Sequence, residues 1–127
     1  MDPVVHFEMP AEDRKRMAEF YKKTFGWEIQ MFGPEMGNYV MAMTAKSDKK
    51  GPIEPGSING GFFEKTPDSP MKHPSVVVQV TDIQASMQKV KDGGGTVLGE
   101  PMKIPGVGLY VVFVDTEGNK ASMMQPE

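Results

Sequence analysis

The sequence predicts an α+β fold in which a strand-helix-strand-strand-strand (βαβββ) module occurs twice within 127 residues. Residues 5–9 alternate apolar and polar side chains, as in a strand with one buried face, and a segment with helical periodicity follows. The same pattern returns from residue 75. Superposing Asp82 on Asp13 aligns both the strand and the helix of the two copies at one offset. We therefore interpret the chain as an internal repeat.

The first module is predicted from strand alternation and from helix start and stop signals. A strand over residues 3–9 is followed by a turn at residues 10–12. Asp13 is a typical helix N-cap, residues 14–25 carry apolar side chains at helical spacing, and Gly26 is a typical helix end. Three further strands are predicted at residues 27–32, 38–44 and 57–63, with a loop at residues 45–56.

Two adjacent glycines, Gly60 and Gly61, lie inside the fourth predicted strand. Glycine within a strand indicates either a β-bulge or the close approach of another group to the backbone. The sequence leaves both alternatives open.

The second module repeats these elements after a proline-containing connector at residues 65–72. A strand at residues 75–80 precedes a helix at residues 83–92, which three glycines end. A strand at residues 108–114 matches residues 37–43, and a hairpin turn at residues 115–119 leads into a last strand at residues 120–124. The predicted modules, about 1–64 and 73–127, form one domain.

Composition excludes several classes of site and partner. The 14 basic and 17 acidic residues give a net charge of -3, without the basic stripe that binds nucleic acid. The absence of cysteine excludes disulfides and thiolate metal sites. No apolar run approaches the roughly 18 residues of a membrane span, and no targeting segment is evident at the N-terminus. We expect a soluble cytoplasmic protein without membrane or nucleic-acid partners.

The two modules together resemble the vicinal oxygen chelate superfamily, which comprises glyoxalase, bleomycin-resistance and extradiol-dioxygenase proteins. The resemblance is carried in the first module by residues 6–13, 19–21 and 25–27, and in the second by residues 80–82, 104–108 and 115–119. It implies a curved mixed sheet with a concave cleft that binds a small molecule. It also implies a homodimer with the first strand or helix of each subunit at the interface.

The resemblance also allows the metal ligands of the family to be tested one position at a time. Members that bind a divalent metal take one ligand, commonly His, from the first strand of each module, and one, commonly Glu, from the last. His6 occupies the first of these positions, whereas Ser75 and Ser122 occupy the second-module positions. The fourth strand offers only Asn59 or a nearby glycine. We therefore predict no metal cofactor, with a divalent ion at His6 as the alternative.

His6 and Glu8 are the candidate catalytic residues, because residues two apart on a strand share one face. They are interpreted as a pair that lines a polar pocket floor, or as a general acid and base. Tyr39 and Tyr110 are related by the repeat. The predicted ligand-pocket residues are His6, Glu8, Asn59, Ser75, Val77, Tyr110 and Ser122.

Two functions are consistent with these residues. The first is a glyoxalase-like protein that binds a small molecule without the family metal site. The second is a metal-dependent lyase, isomerase or dioxygenase that uses His6 and Glu8. Whether the protein is an enzyme is left open by the sequence, because one scaffold hosts many chemistries.

Overall fold

Both halves of the chain form the same series of elements in the computed structural model, which describes residues 1–127. The chain divides into two compact units, which we call the N-terminal unit (residues 6–74) and the C-terminal unit (residues 1–5 and 75–127). Pro3 O accepts the backbone N–H of Gln79 at 2.9 Å, which joins residues 1–5 to the C-terminal unit. The predicted α+β class is confirmed, whereas the predicted single domain stays a prediction.

The N-terminal unit contains one α-helix and a sheet of four strands. Its elements are β1 (Val4–Ala11, from residue 6), α1 (Arg14–Phe25), β2 (Glu28–Met31), a 3-10 turn (Pro34–Met36), β3 (Val40–Met43), the two-residue strands β4 (Ser47–Asp48) and β5 (Gly51–Pro52), and β6 (Asn59–Glu64). The sheet order is β2-β3-β6-β1. Strands β1 and β6 are parallel, and the other neighbours are antiparallel.

The C-terminal unit repeats this topology. Its elements are β7 (Ser75–Gln79), α2 (Ile83–Asp92), β8 (Thr96–Ile104), β9 (Gly108–Val114) and β10 (Lys120–Pro126). The sheet order is β7-β10-β9-β8, with β7 and β10 parallel and the other pairs antiparallel. Each unit is therefore a βαβββ module with a mixed sheet, as the repeat predicts.

The two helices begin and end where their caps predict. Asp13 accepts the backbone N–H of Arg16, and Asp82 accepts that of Ala85, each at 3.0 Å. Each such cap stabilises its helix by about 1 kcal/mol. Gly26 ends α1 in the left-handed conformation, with φ of 71°. The helices contain 12 and 10 residues, and neither is long and apolar enough to cross a membrane.

Each helix packs on one face of its own sheet. In the N-terminal unit the buried cluster is Ala11, Ala18, Val40, Ala42 and Phe62, and Tyr21 stacks on Trp27 with ring centroids 4.6 Å apart. In the C-terminal unit the buried cluster is Val80, Ile83, Met87, Val111 and Met123. Side chains alternate along a strand, so the neighbouring residues of each strand lie on the opposite face, which we call the helix-free face of that unit.

Three predictions about the strands are wrong. The predicted turn at residues 10–12 is partly strand, because β1 continues through Pro10 and Ala11 O accepts the N–H of Lys65 at 2.9 Å. The predicted loop at residues 45–56 contains the β4–β5 hairpin. The last strand continues two residues beyond its predicted end at residue 124.

Val76, which alternation places on the helix side, lies outside the buried cluster and is 41% exposed.

Gly60 and Gly61 admit aromatic rings to both faces of the N-terminal sheet. The pairing of β1 with β6 is continuous across them, so the alternative of a β-bulge is wrong. A Cβ atom on Gly60 would overlap the ring of Phe7, and a Cβ atom on Gly61 would overlap the ring and hydroxyl of Tyr39. The alternative of a close approach to the backbone is therefore confirmed for both glycines.

The substitution Gly60→Ala should destabilise the protein, because the added methyl group forces the Phe7 ring out of the core. We expect a loss of about 1–3 kcal/mol in the free energy of unfolding, measured by urea denaturation. Gly33→Ala is the matched control, since its methyl group meets only the side-chain carboxylate of Glu35. Equal stability of the two variants would contradict the close approach at Gly60.

Candidate functional site

The helix-free face of the N-terminal sheet carries most of the predicted polar residues of that unit. Phe7 and Met9 pack against the buried cluster, so His6 and Glu8 lie on the other face of β1. Asn59 pairs with His6 in the β1–β6 register. Tyr39, which precedes β3, reaches the same face. The structure therefore brings His6, Glu8 and Asn59 together on one face, with Tyr39 beside them.

His6 and Tyr39 form the central contact of this face. His6 Nε2 and the Tyr39 hydroxyl are 2.8 Å apart, and either atom is a donor depending on the imidazole tautomer. Burial lowers the pKa of His6 below its ordinary value, so the ring is neutral at pH 7. Both side chains are half-buried, and a ligand can therefore reach them.

Arg14 holds the segment that leads into Tyr39. Its Nη1 donates to Phe32 O at 2.6 Å and to Asn38 O at 3.1 Å, on the two sides of the 3-10 turn. Asn38 adopts a φ of 56°, a left-handed conformation that is uncommon for residues other than glycine. The first residue of α1 thus sets the position from which Tyr39 reaches across the sheet.

Asn59 has a structural role that its position alone did not indicate. Its Oδ1 accepts the backbone N–H of Thr44 at 3.0 Å, and its Nδ2 donates to Ser47 Oγ at 2.8 Å. The Thr44 hydroxyl donates to Ile58 O at 2.6 Å. The Asn59 amide therefore closes the loop that contains the β4–β5 hairpin. The predicted contact between Asn59 and a ligand stays a prediction. To make it, the Asn59 amide would have to share or give up its bonds to Thr44 and Ser47.

The helix-free face of the C-terminal sheet carries the other predicted residues. Val78 and Met123 belong to the helix side, so Ser75, Val77 and Ser122 lie on the opposite face. Val77 and Ser122 pair in the β7–β10 register and are buried. The Tyr110 hydroxyl and Ser122 Oγ are 2.7 Å apart.

Ser75 differs from its neighbours on this face in its hydrogen bonding. Its Oγ is buried and has no hydrogen-bond partner. A buried hydroxyl without a partner costs about 1–3 kcal/mol relative to a satisfied one. A polar atom of a bound molecule placed here would remove that cost.

The repeat relates the two helix-free faces residue by residue. In the N-terminal unit, Tyr39 lies two residues before Met41, and Met41 pairs with Gly61. In the C-terminal unit, Tyr110 lies two residues before Val112, and Val112 pairs with Ser122. Gly61 therefore takes the repeat position of Ser122, and the two tyrosines are equivalent. Ser122 holds the Tyr110 hydroxyl within its own hairpin, whereas the missing side chain at Gly61 lets Tyr39 extend to His6.

Sequence reasoning did not predict the His6–Tyr39 contact. The contact joins residues 33 positions apart, and strand alternation does not pair them. Strand pairing in the structure places a glycine opposite the strand of Tyr39 and a serine opposite that of Tyr110. That difference in side-chain size accounts for the different paths of the two tyrosines.

The side chains present do not fit the metal site that the resemblance implies. No group of three or more His, Asp or Glu side chains is arranged to hold a metal ion. His6 Nε2 is within hydrogen-bond distance of Tyr39, and the equivalent second-module residue Ser75 offers a neutral hydroxyl. Neutral hydroxyls are poor ligands for a divalent metal beside imidazole and carboxylate.

A shallow surface cavity of about 370 Å³ at the start of α1 contains none of the predicted site residues. It is lined by Ala11, Glu12, Asp13, Arg14, Lys15, Glu64, Lys65 and Thr66. Lys65 Nζ and Glu12 Oε1 are 3.5 Å apart, with both side chains exposed. Exposed ion pairs contribute little, and Arg14 is bonded to backbone carbonyls, so we assign no function to this cavity.

The lowered pKa of His6 should make stability depend on pH in one direction. The unfolded chain binds a proton near the ordinary pKa of 6.5, whereas the folded chain resists protonation. This contribution to stability is therefore complete above about pH 6.5 and is lost as the pH falls below it. When the pH is lowered from about 7.5 to about 5.5, the free energy of unfolding should decrease less in His6→Gln than in the wild type.

Urea denaturation at the two pH values measures this difference. His73→Gln is the matched control, because it makes the same substitution at an exposed histidine in the chain before β7. Identical pH dependence in the wild type and His6→Gln would contradict the burial of a neutral His6.

Comparison with known proteins agrees with this architecture. The sequence is 32% identical over 113 residues to a glyoxylase-like domain-containing protein of Didymella fabae, covering 88% of this chain and 84% of the relative. It is 30% identical over 129 residues to an ethylmalonyl-CoA/methylmalonyl-CoA epimerase of Cereibacter sphaeroides, covering 96% and 94%.

Solved structures share the fold at lower sequence identity. One is a serine-to-threonine variant of Streptomyces coelicolor methylmalonyl-CoA epimerase in complex with 2-nitronate-propionyl-CoA. It matches with a TM-score of 0.69 and 19% identity, covering 98% of this chain and 94% of that one. At this identity the likeness shows the fold alone. The family model that describes the Glyoxalase/Bleomycin resistance protein/Dioxygenase superfamily matches residues 4–123. The protein therefore belongs to this superfamily, as its sequence resemblance implied.

Proposed function

We propose that this protein binds a small organic molecule through side chains on its helix-free faces and does so without a metal ion. The residues assigned to this role are His6, Glu8, Asn59, Ser75, Val77, Tyr110 and Ser122. The observation that carries the proposal is the buried, unpartnered Oγ of Ser75. Such an atom is uncommon in folded proteins, and a ligand oxygen or nitrogen would satisfy it.

The surroundings of Ser75 support an organic ligand. Val77 lies two residues along the same strand and supplies an apolar wall, being only 2% exposed. Tyr110 and Ser122 form a hydroxyl pair on the same face. Ligand pockets in general combine mainly apolar walls with a few polar groups that orient the ligand.

The choice of a mechanism without a metal rests on donor chemistry. The N-terminal unit offers one imidazole and one carboxylate on its helix-free face, His6 and Glu8. Ser75 and Ser122 stand where metal-binding members commonly carry His and Glu. We therefore assign binding and orientation of the ligand to hydrogen bonds.

A second candidate function is an isomerase that acts on an acyl-CoA thioester. It is favoured by the relative described as an ethylmalonyl-CoA/methylmalonyl-CoA epimerase, which is 30% identical over nearly the whole chain. In this case His6 and Glu8 are the candidates for moving a proton, with or without a divalent metal.

The proposal predicts ligand-induced stabilisation in the presence of EDTA. Methylmalonyl-CoA and 2-nitronate-propionyl-CoA are the probes, since structures of relatives contain them. Either probe should raise the melting temperature of the wild type, because a ligand that binds only the folded state stabilises it. Ser75→Ala should reduce this shift. Ser86→Ala, a serine substitution on α2 of the same unit, should leave it unchanged.

Metal analysis and an epimerase assay separate the two candidates. The purified protein is analysed for metals after separate incubation with Ni, Zn, Mn and Fe(II), with His6→Ala in parallel. We expect no stoichiometric metal in either protein. Stoichiometric metal that His6→Ala loses, together with epimerisation of methylmalonyl-CoA, would replace the first candidate with the second.

Cytoplasmic location and a homodimer with the first strand or helix at its interface stay predictions. Light scattering coupled to size-exclusion chromatography measures the assembly directly. The expected mass is twice that of one chain.

A further inference from the structure

Three separate features place the Tyr39 hydroxyl on the helix-free face of the N-terminal sheet. The missing side chain at Gly61 leaves room for the ring. Arg14 bonds the backbone on both sides of the turn that precedes Tyr39. His6 Nε2 lies 2.8 Å from the hydroxyl oxygen. The backbone, the ring and the hydroxyl of this tyrosine are thus each positioned by a different element of the unit.

We propose that the Tyr39 hydroxyl donates a hydrogen bond to a ligand oxygen that carries a full negative charge. The ligand class is a molecule with an enolate or nitronate oxygen. This inference rests on the proposed function and names the chemistry of its ligand.

The partner of Tyr39 makes this role chemically consistent. A neutral imidazole protonated at Nε2 donates to the phenol oxygen, and the phenol proton then points away from His6. Hydrogen bonds in a chain polarise one another, so the phenol becomes a better donor toward a negative oxygen. A positioned donor stabilises such an oxygen as a Lewis acid would, without a bound cation.

The equivalent tyrosine of the C-terminal unit illustrates what Gly61 contributes. Tyr110 ends within 2.7 Å of Ser122 Oγ, on the strand next to its own. Tyr39 meets no side chain at the corresponding position and extends one strand further, to His6 on β1. Gly61 is thus a positioning residue for Tyr39.

Binding of two CoA thioesters, measured by calorimetry in EDTA, tests the role of Tyr39. The probes are 2-nitronate-propionyl-CoA, whose acyl group carries a negatively charged nitronate, and propionyl-CoA, whose acyl group has only an uncharged carbonyl oxygen. The wild type should bind the nitronate more tightly. Tyr39→Phe should weaken nitronate binding by about 10-fold or more, the usual effect of losing a hydrogen bond to a charged group. Its affinity for propionyl-CoA should change little.

Tyr21→Phe is the matched control, because the Tyr21 hydroxyl lies on the helix side and donates to Met9 Sδ at 3.9 Å. This variant should keep the preference for the nitronate. A preference retained in Tyr39→Phe would overturn the role of Tyr39 while leaving ligand binding intact. A preference that appears only with added Co²⁺ and disappears in His6→Ala would assign the role to a metal. Failure of the wild type to bind either probe would overturn both this inference and the proposed function for thioesters.

Discussion

The absence of side chains at two adjacent positions of β6, Gly60 and Gly61, is the constraint on which the N-terminal unit depends. One glycine lets the Phe7 ring lie against the sheet on the helix side, where it packs with Trp27 at a centroid distance of 5.7 Å. The other lets the Tyr39 ring lie against the opposite face. Core packing and the candidate site therefore share one short stretch of backbone. Glycine costs conformational entropy within a strand, and here both faces use the space that it leaves.

The two units illustrate how a repeat diverges in its chemistry while it keeps its topology. Both keep the Asp N-cap, the parallel pairing of the first and last strands, and a tyrosine at the same register position. They differ at two positions of the helix-free face. The strand next to that of the tyrosine carries Gly61 in one unit and Ser122 in the other, and the first strand carries His6 in one unit and Ser75 in the other. His6 has a hydroxyl partner, whereas the Oγ of Ser75 is buried without one. The proposed ligand chemistry follows from these differences.

Local signals predicted the helices and the repeat because their causes are local. Asp13 and Asp82 accept backbone N–H groups three residues away, and Gly26 adopts the left-handed conformation that ends α1. The limits of both helices agree with the prediction for this reason. Alternation also placed His6, Glu8 and Ser75 on the faces away from the helices. The end of β1 was missed because Pro10 suggested a turn, whereas pairing with β6 extends the strand to Ala11.

The contacts that define the candidate site could not be predicted, because they join distant parts of the chain. Arg14 bonds carbonyls 18 and 24 residues away, and the bonds of Asn59 depend on the path of a loop. The hydroxyl partner of His6 depends on the space above Gly61, which becomes visible only when three strands are assembled.

The nitrogen resonances of the His6 ring show whether the space at Gly61 lets Tyr39 reach His6. Long-range proton-nitrogen NMR spectra report the hydrogen-bonding state of each imidazole nitrogen, with His73 as an internal reference. Gly61→Ala should displace the Tyr39 ring and shift the His6 Nε2 resonance in the same direction as Tyr39→Phe. Identical His6 Nε2 resonances in the wild type, Gly61→Ala and Tyr39→Phe would show that Tyr39 does not bond to His6 through the space at Gly61.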